Sequence, residues 1–484
     1  MRTSPAAIPF LNLLAALAGG LCMRFAFGLE PIWWLAWCAP GLVLFAALRS
    51  SRHASLVLVT LAGLVAASGN FHYYTLVIPL PMSLLATLLQ ALSWTLVIGL
   101  SRRLMLRRGT CVSLFAYPLL AAAFDTLAAH LLPDGNWASI GYSQAGFLPA
   151  LQIVSLAGMA GLVFVLSLPA AALALLAAHR PGRGTAAGIV ATVALLVGSA
   201  IAYGVVRLST PATGAGVTVG LAAIDDFIGP RTPAAAERVW KQYERQLADL
   251  ASRGAMLIVL PEKIAVVDLA QARALRQRLG SQAARLRVWL MAGVGVDDGR
   301  QRHNLAWLFD PSGRMHHAYQ KRRLAPGEGA FVPGTRAEVE RIGPVLAGLA
   351  ICKDMHFAAS ARDYGRLRAD IVLVPSWDFG EDALYAARLS ALRGVENGFA
   401  MVRVAREGML TVSDQLGRVV AEVRSAPMPG AALLAELPAP RTGTTLYAWS
   451  GDVFGWLCVA CGSAMLLALR GSGGTSVDSH GQSR

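Results

Sequence analysis

The feature that most constrains this chain is the uneven placement of its apolar residues. Up to about residue 206, nearly uncharged stretches of membrane-crossing length follow one another, and one more runs over about 451–469. A bilayer core about 30 Å thick asks for roughly 20 consecutive apolar residues per helix. The pattern predicts seven spans, at roughly 7–26, 31–48, 54–70, 81–100, 112–131, 152–178 and 186–206, and an eighth at about 451–469. Between them, about 215–440 has the make-up of an ordinary globular domain, long enough to bury a core. This division accounts for a chain that is 55% hydrophobic and only 15% charged, where a typical soluble protein carries about 25% charged residues. The expected organisation is a transmembrane domain over 1–210, a catalytic-sized globular domain over 215–440, an eighth transmembrane helix over 451–469 and a disordered Ser/Gly-rich tail over 471–484.

A net charge of +14 brings nucleic acid to mind. The arginines argue otherwise, because many sit in short loops between apolar segments. Arg2, Arg49, Arg52, the group Arg102, Arg103, Arg107 and Arg108, then Arg180, Arg183 and Arg470 fall on one side, and the opposite loops carry only Arg24. By the positive-inside rule the arginine side is cytoplasmic. An odd number of preceding spans then puts the globular domain outside the cytoplasm. The expectation is a multi-pass protein of the bacterial inner (plasma) membrane, with both termini cytoplasmic, a periplasmic globular domain and no nucleic-acid partner. The first span lacks a small-x-small cleavage site and leads at once into another span, unlike a signal peptide. One outer loop, Gly135-Asn136-Trp137 to Gly141-Tyr142-Ser143-Gln144, is polar and aromatic. It reads either as an interfacial anchor or as an access surface for lipid or substrate.

In the globular block, apolar runs end at chemically useful residues. Val217–Ile224 reads as a buried strand, and Thr232-Pro233 opens a helix running to about Ser252. A second strand, Met256–Leu260, leads into Pro261-Glu262. A third spans about Val288–Val296, and Leu305–Phe309 and Met315–Tyr319 flank the turn Asp310-Pro311-Ser312-Gly313 before Lys321. Val345–Ile351 leads into Cys352; Asp370–Pro375 precedes a helix over about Asp382–Val395; three further strands close the block. Strands alternating with helices and hairpins indicate a layered mixed α/β fold. Of 6 cysteines, Cys352 alone lies in this block, so it has no local disulfide partner. It reads as a buried structural cysteine or as a nucleophile. Strand ends on one edge of a sheet converge, so Glu262, Lys321 and Cys352 can meet: a carboxylate to take the thiol proton, a cation for an oxyanion, and a thiolate to form an acyl-enzyme. His303, His316 and His317 make no metal-ligand spacing, and adjacent hairpin histidines are expected on opposite faces. No Gly-rich phosphate loop follows a strand, and neither metal nor other cofactor is expected.

Pro261-Glu262, the run Tyr319-x-Lys321-x-x-Leu324-x-Pro326 with Glu328, the strand ending in Cys352-Lys353-Asp354, Pro375-Ser376-Trp377 and Arg393-Gly394-Val395-Glu396-Asn397-Gly398 together resemble the ordered motifs of the nitrilase (carbon–nitrogen hydrolase) superfamily. With the membrane segments, and with Gly141-Tyr142-Ser143-Gln144, Leu446-Tyr447 and Gly451-Asp452-x-Phe454-Gly455-Trp456, nearly the whole chain resembles the apolipoprotein N-acyltransferase family. The resemblance implies a nitrilase-like αββα sandwich inserted between seven N-terminal and one C-terminal transmembrane helices. It also implies acyl transfer from a phospholipid, through a Cys352 thioester, to the α-amine of a diacylglyceryl-cysteine lipoprotein, by a monomer among membrane lipids. Glu262 would be the base, Lys321 the oxyanion partner, Glu328 a second acid orienting Lys321, and Asp354 a supporting carboxylate. Departures fall in the site itself: Leu260 and Lys353 where the family has aromatics, and Arg322-Arg323 in a segment one residue short. Trp377, Phe379 and Leu384 are candidates to receive acyl chains, or core residues, and Lys353 could recognise an acidic substrate group. The latter suits a membrane-tethered amidase or nitrilase, or an amide-forming acyltransferase with another substrate. A non-catalytic receptor or scaffold is the third reading.

Overall fold

The computed structural model describes residues 7–107, 110–210, 216–226, 233–438 and 444–471. The tail beyond 471 and the Thr232 cap lie outside the described residues. Six apolar helical segments are long enough to cross a membrane: Pro9–Ala26, Arg52–Val77, Leu80–Arg107, Val112–Leu131, Val154–His179 and Arg183–Leu208. Trp33–Leu48 and Val453–Ala468 are shorter. Lipid supplies little drive for apolar residues to leave it, so membrane helices associate through close packing of small residues. A Cβ on Gly41 would stand 2.8 Å from the carbonyl oxygen of Ala170, and one on Gly63 equally close to that of Ala91. Arg102 donates to the carbonyls of Ala47 (2.7 Å) and Ser50 (2.6 Å), and Arg24 to Ser68 Oγ (2.5 Å). The Arg102 contacts bring two of the arginine loops that the sequence put on one side to the same end of the bundle, and Arg24, expected on the other side, meets Ser68 instead.

Among the described residues of the globular block, the strands in chain order are β1 (Val217–Ala223), β2 (Leu257–Val259), β3 (Val266–Asp268), β4 (Trp289–Asp297), β5 (Arg302–Phe309), β6 (Met315–Gln320), β7 (Glu338–Ile342), β8 (Val345–Leu349), β9 (Ile371–Trp377), β10 (Ala400–Arg406), β11 (Met409–Ser413), β12 (Val419–Arg424) and β13 (Ala431–Leu437). They form two mixed sheets, ordered β13-β1-β2-β4-β5-β6, with β3 beside β4, and β12-β11-β10-β9-β8-β7. Period-two alternation builds the layers. Val217, Val219 and Leu221 meet Ile371 and Leu373 between the sheets. Ala222 faces outward into the layer formed with helix Pro233–Ser252, and Val372 and Val374 face helix Ala358–Arg366. Helix Ala383–Asn397 covers the second sheet and also packs on the membrane base: Tyr385, Leu389, Leu392 and Val395 lie among Trp137, Tyr142 and Leu162. The expected mixed α/β sandwich is present.

Two expectations are corrected. The 135–144 loop does not face lipid: Trp137, Tyr142 and Gln144 are buried, with Tyr385 donating to the Trp137 carbonyl and Arg393 to Tyr142. It is a seam between base and globular domain. His316 and His317 do not diverge, because a register shift at Leu308/Phe309 makes the ladder skip His316, and a bulge re-aims side chains. Both imidazoles reach Glu340 Oε2, at 3.1 and 2.9 Å.

Candidate active site

Three strand ends deliver the site. After β2, Leu260-Pro261 carries the chain to Glu262, whose N–H donates to the Ser376 carbonyl of the opposite sheet at 3.2 Å. β4 lies so close beneath that a Cβ on Gly293 would stand 2.5 Å from the Cα of Glu262, so glycine is required there. After β6, the Lys321 N–H donates to the Asn304 carbonyl of β5 at 2.9 Å. After β8, the chain turns sharply: Cys352 has φ +43°. A non-glycine residue in this region costs of order 1–3 kcal/mol and persists only where its surroundings hold it.

Asp354 does that holding. Its carboxylate accepts from Tyr319 Oη (2.6 Å), from the N–H of Ile351 (3.0 Å), and from the N–H groups of Arg322 (3.0 Å) and Arg323 (2.8 Å). One side chain therefore ties the Cys352 turn to the loop after Lys321. Burial pushes the Asp354 pKa up, against the opposing pull of these donors.

Glu262, Lys321 and Glu328 meet in one buried cluster. Lys321 Nζ lies 2.8 Å from Glu262 Oε1 and 2.8 Å from Glu328 Oε2. Asn304 Nδ2 donates to both carboxylates, at 2.6 and 2.8 Å. A second cation, Lys263, reaches Glu328 Oε1 at 2.5 Å and stands 3.7 Å from Glu262. Two lysines against two carboxylates balance the buried charge. Burial alone would lower the Lys321 pKa, but Glu262, the Cys352 sulfur and Glu328 outweigh it and hold it above the ordinary lysine value. Burial would raise Glu328; Lys321 and Lys263 override it and bring it to about 2. For Cys352 the balance goes the other way. Burial, then the charge of Glu262, push the thiol up to about 12, with only partial relief from Lys321. The sulfur is a protonated thiol at neutral pH, next to a carboxylate and a fixed ammonium.

The other sequence candidates fall at different places. Cys352 Sγ contacts the Trp377 carbonyl at 3.6 Å, and the Trp377 ring lies under Arg406 (4.3 Å) and Lys263 (5.1 Å). Phe379 is exposed and meets Tyr73 of the base edge-on at 6.4 Å. Leu384 packs with Ala383, Ala387 and Met409, a core role. Lys353 points away from the cluster and pairs with Asp134 of the base. Sequence reading missed Lys263, Asn304 and the buried pair Arg403–Asp378, joined at 2.9 and 2.5 Å. Arg403 only partly offsets burial, which raises Asp378 to about 6. Lys263 carried a usable signal, a second cation directly after Glu262; Asn304 and Arg403 sit inside strands and carried none.

The two-sheet domain matches a carbon–nitrogen hydrolase domain, here built onto apolar helices long enough to cross a membrane. Residues 220–428 match the carbon–nitrogen hydrolase family model, and residues 19–172 match that of the apolipoprotein N-acyltransferase N-terminal domain. Over nearly its whole length the chain is similar to apolipoprotein N-acyltransferases. It is 28% identical over 516 residues to the apolipoprotein N-acyltransferase of Geobacter metallireducens, covering 96% of each chain. It is 29% identical over 509 residues to that of Chromobacterium violaceum, covering 96% of this chain and 95% of the other. Among solved structures, an amidase from Nesterenkonia sp. aligns at 24% identity with a TM-score of 0.41, over 48% of this chain and 94% of its own.

Proposed function

We propose that the protein is a membrane N-acyltransferase that moves a fatty acyl group from a phospholipid, through a Cys352 thioester, to the α-amine of the N-terminal diacylglyceryl-cysteine of a lipoprotein. The observation that carries this reading is that the membrane base walls the thiol site. Tyr73 Oη donates to Asp382 at 2.8 Å, in the turn that holds Phe379, and Asp134 pairs with the residue next to Cys352. These contacts set the membrane base beside the loops that flank Cys352, where a membrane lipid would approach.

Glu262 takes the proton of Cys352 as the sulfur attacks the ester carbonyl. Lys321, oriented by Glu328, holds the oxyanion. Collapse breaks the ester C–O bond, and Glu262 returns the proton to the departing lysophospholipid alkoxide. In the second half-reaction the lipoprotein amine attacks the thioester carbonyl and Glu262 accepts its proton. The C–S bond then breaks, and the proton returns to sulfur. The raised thiol pKa supports the need for a base. Asp354 positions the nucleophile, and Trp377 and Phe379 border the acyl path. Lys353, already paired with Asp134, is unavailable to an acidic substrate, which removes the main support for a different amide substrate.

The topology proposed is seven spans, then the catalytic domain over 215–440 on the periplasmic side, then a span over 451–469, with the 1–210 segment as the membrane domain and both termini cytoplasmic. Trp33–Leu48 fits as a short span because most of its helix is buried among its neighbours and need not match the lipid thickness. All groups in the scheme come from one chain, which supports the reading of a monomer. Intact mass after incubation with phosphatidylethanolamine tests the reading: one added fatty acyl group, absent in Cys352→Ala, is expected. No adduct on a thiol still reactive to a small electrophile would overturn it.

A further inference from the structure

A cavity of about 460 Å³ opens where the catalytic domain meets the base. Its walls include His130, Leu132, Arg322, Arg323, Phe357 and Asp452, and none of Cys352, Glu262 or Lys321. Its level is fixed by the chain. The apolar segment Val112–Leu131 ends here, and the segment Val453–Ala468 begins here. Immediately below, Leu131, Leu132, Val453 and Trp456 are exposed. The Trp456 ring lies 5.1 Å from His130, and aromatic side chains favour the membrane–water boundary. The cavity therefore lies at headgroup height, with an apolar face beneath it.

The charges of the cavity are unevenly satisfied. Asp452 is held by Tyr447 (2.7 Å), His130 (3.4 Å) and Arg362 (3.4 Å). Arg322 is paired with Asp363 at 2.6 Å. The Arg323 guanidinium stacks on Phe357 at 4.7 Å and touches Ser360 Oγ at 3.5 Å, and among the described residues no carboxylate pairs with it. An exposed guanidinium at that height, above exposed leucine and valine, matches a phosphate carried on acyl chains.

We propose that this cavity holds the phosphodiester of a membrane phospholipid, gripped by Arg323, with its acyl chains lying on the face of Leu132 and Val453. This rests on the reading of the two flanking segments as membrane spans. The bound lipid is a resident molecule and not the reacting donor, since the thiol is not in the cavity. The Arg322 and Arg323 backbones hold Asp354, so the lipid braces the loop that begins at Lys321.

The test is native mass spectrometry of the full-length Cys352→Ala protein, which cannot consume lipid, titrated with phosphatidylglycerol, dioleoylglycerol or inorganic phosphate. One phosphatidylglycerol should be retained in preference to dioleoylglycerol. Arg323→Glu should weaken that retention about tenfold or more, the size of a lost charge-assisted hydrogen bond, and Arg323→Gln should weaken it less. Equal retention by wild type and both variants would mean annular lipid only and overturn the proposal. Equal retention of dioleoylglycerol, or displacement by inorganic phosphate alone, would also overturn it, the first because no phosphate is read and the second because the site takes a free anion. Both variants are checked for unchanged thermal unfolding, and Arg323→Gln keeps the question open to refutation if the charge reversal does not fold. Acylation of Cys352 in variants that retain the thiol separates this inference from the acyltransferase reading: acylation without lipid retention sinks only the former.

Discussion

The membrane base and the catalytic domain bury opposite materials. On the base, large apolar side chains point outward, with Leu131 74% exposed and Leu195 and Val206 each 68% exposed. Its interior is rich in alanine and glycine, such as Ala39, Ala46, Ala47, Ala62 and Ala66. In the catalytic domain, valine, leucine and isoleucine fill the space between the sheets, and the buried lysines with their carboxylate partners cluster at the strand ends. The difference follows from the solvent. Water drives apolar area inward, so the domain gains by burying leucine. Lipid does not, so the base gains by close backbone approach. The lysine–carboxylate cluster is tolerable only because the domain around it is packed well enough to hold every partner in place.

The sharpest break of this contrast is Lys321→Met. It leaves Glu262 and Glu328 buried without their shared cation, and should cost roughly 3–5 kcal/mol of stability. Acyl-enzyme formation should slow by about 10²–10³ if the oxyanion role holds. Thermal unfolding and single-turnover mass spectrometry read the two effects. A stability loss under about 1 kcal/mol would mean that water reaches the cluster.

Next in size is a matched pair of truncations. Leu373→Ala, between the sheets, should cost roughly 2–5 kcal/mol, and Leu195→Ala, on the outer face of the base, within about 0.5 kcal/mol. Similar losses at both positions in detergent unfolding would erase the contrast. Gly63→Val tests the base in the other direction. Overpacking against the Ala91 carbonyl should cost about 1–3 kcal/mol, and no loss of unfolding temperature would mean that those helices can part freely.

The smallest effect is a matter of pH. With the folded Cys352 thiol at about 12, above its ordinary value of 9.0, the stability linked to the protonated thiol is complete below about pH 9. It is lost as pH rises from there toward 12. Thiolate absorbance at 240 nm, taken as wild type minus Cys352→Ala, should show no step between pH 7 and pH 10. A step near neutrality would mean that the thiolate exists at rest and that Glu262 is not needed to form it.

Much of this was legible in the sequence. Membrane-length apolar runs, apolar strand runs and the residues at strand ends gave the base, most of the strands and the meeting of Glu262 with Lys321, while Glu328 and the two-sheet sandwich came from the family resemblance. Helix Leu269–Leu286 was overlooked although Asp268 and Gln271 form a capping box at its start, a readable signal. β13 was not readable in the same way. Ala431–Leu437 has a helix-like composition and is a strand because it pairs antiparallel with β1 across the whole domain, a tertiary override of local preference. β3, β7 and helix Ala358–Arg366 are short and weakly patterned. The Lys353–Asp134 pairing was not legible, because sequence shows that a charge adjoins Cys352 but not which way the turn aims it.

The pairing of Lys353 with Asp134 bears on how transferable this catalytic unit is. Helix Ala383–Asn397 rests on the base through Tyr385 and Trp137, and the Arg393–Glu396 pair, fully buried, is completed by Tyr142. Released from its helices, the sandwich would present a lysine beside Cys352 and an arginine behind it, each short of a partner. The catalytic unit is not a module that can be lifted off and run in solution or grafted onto another anchor. Its chemistry is co-owned by the segment that precedes it.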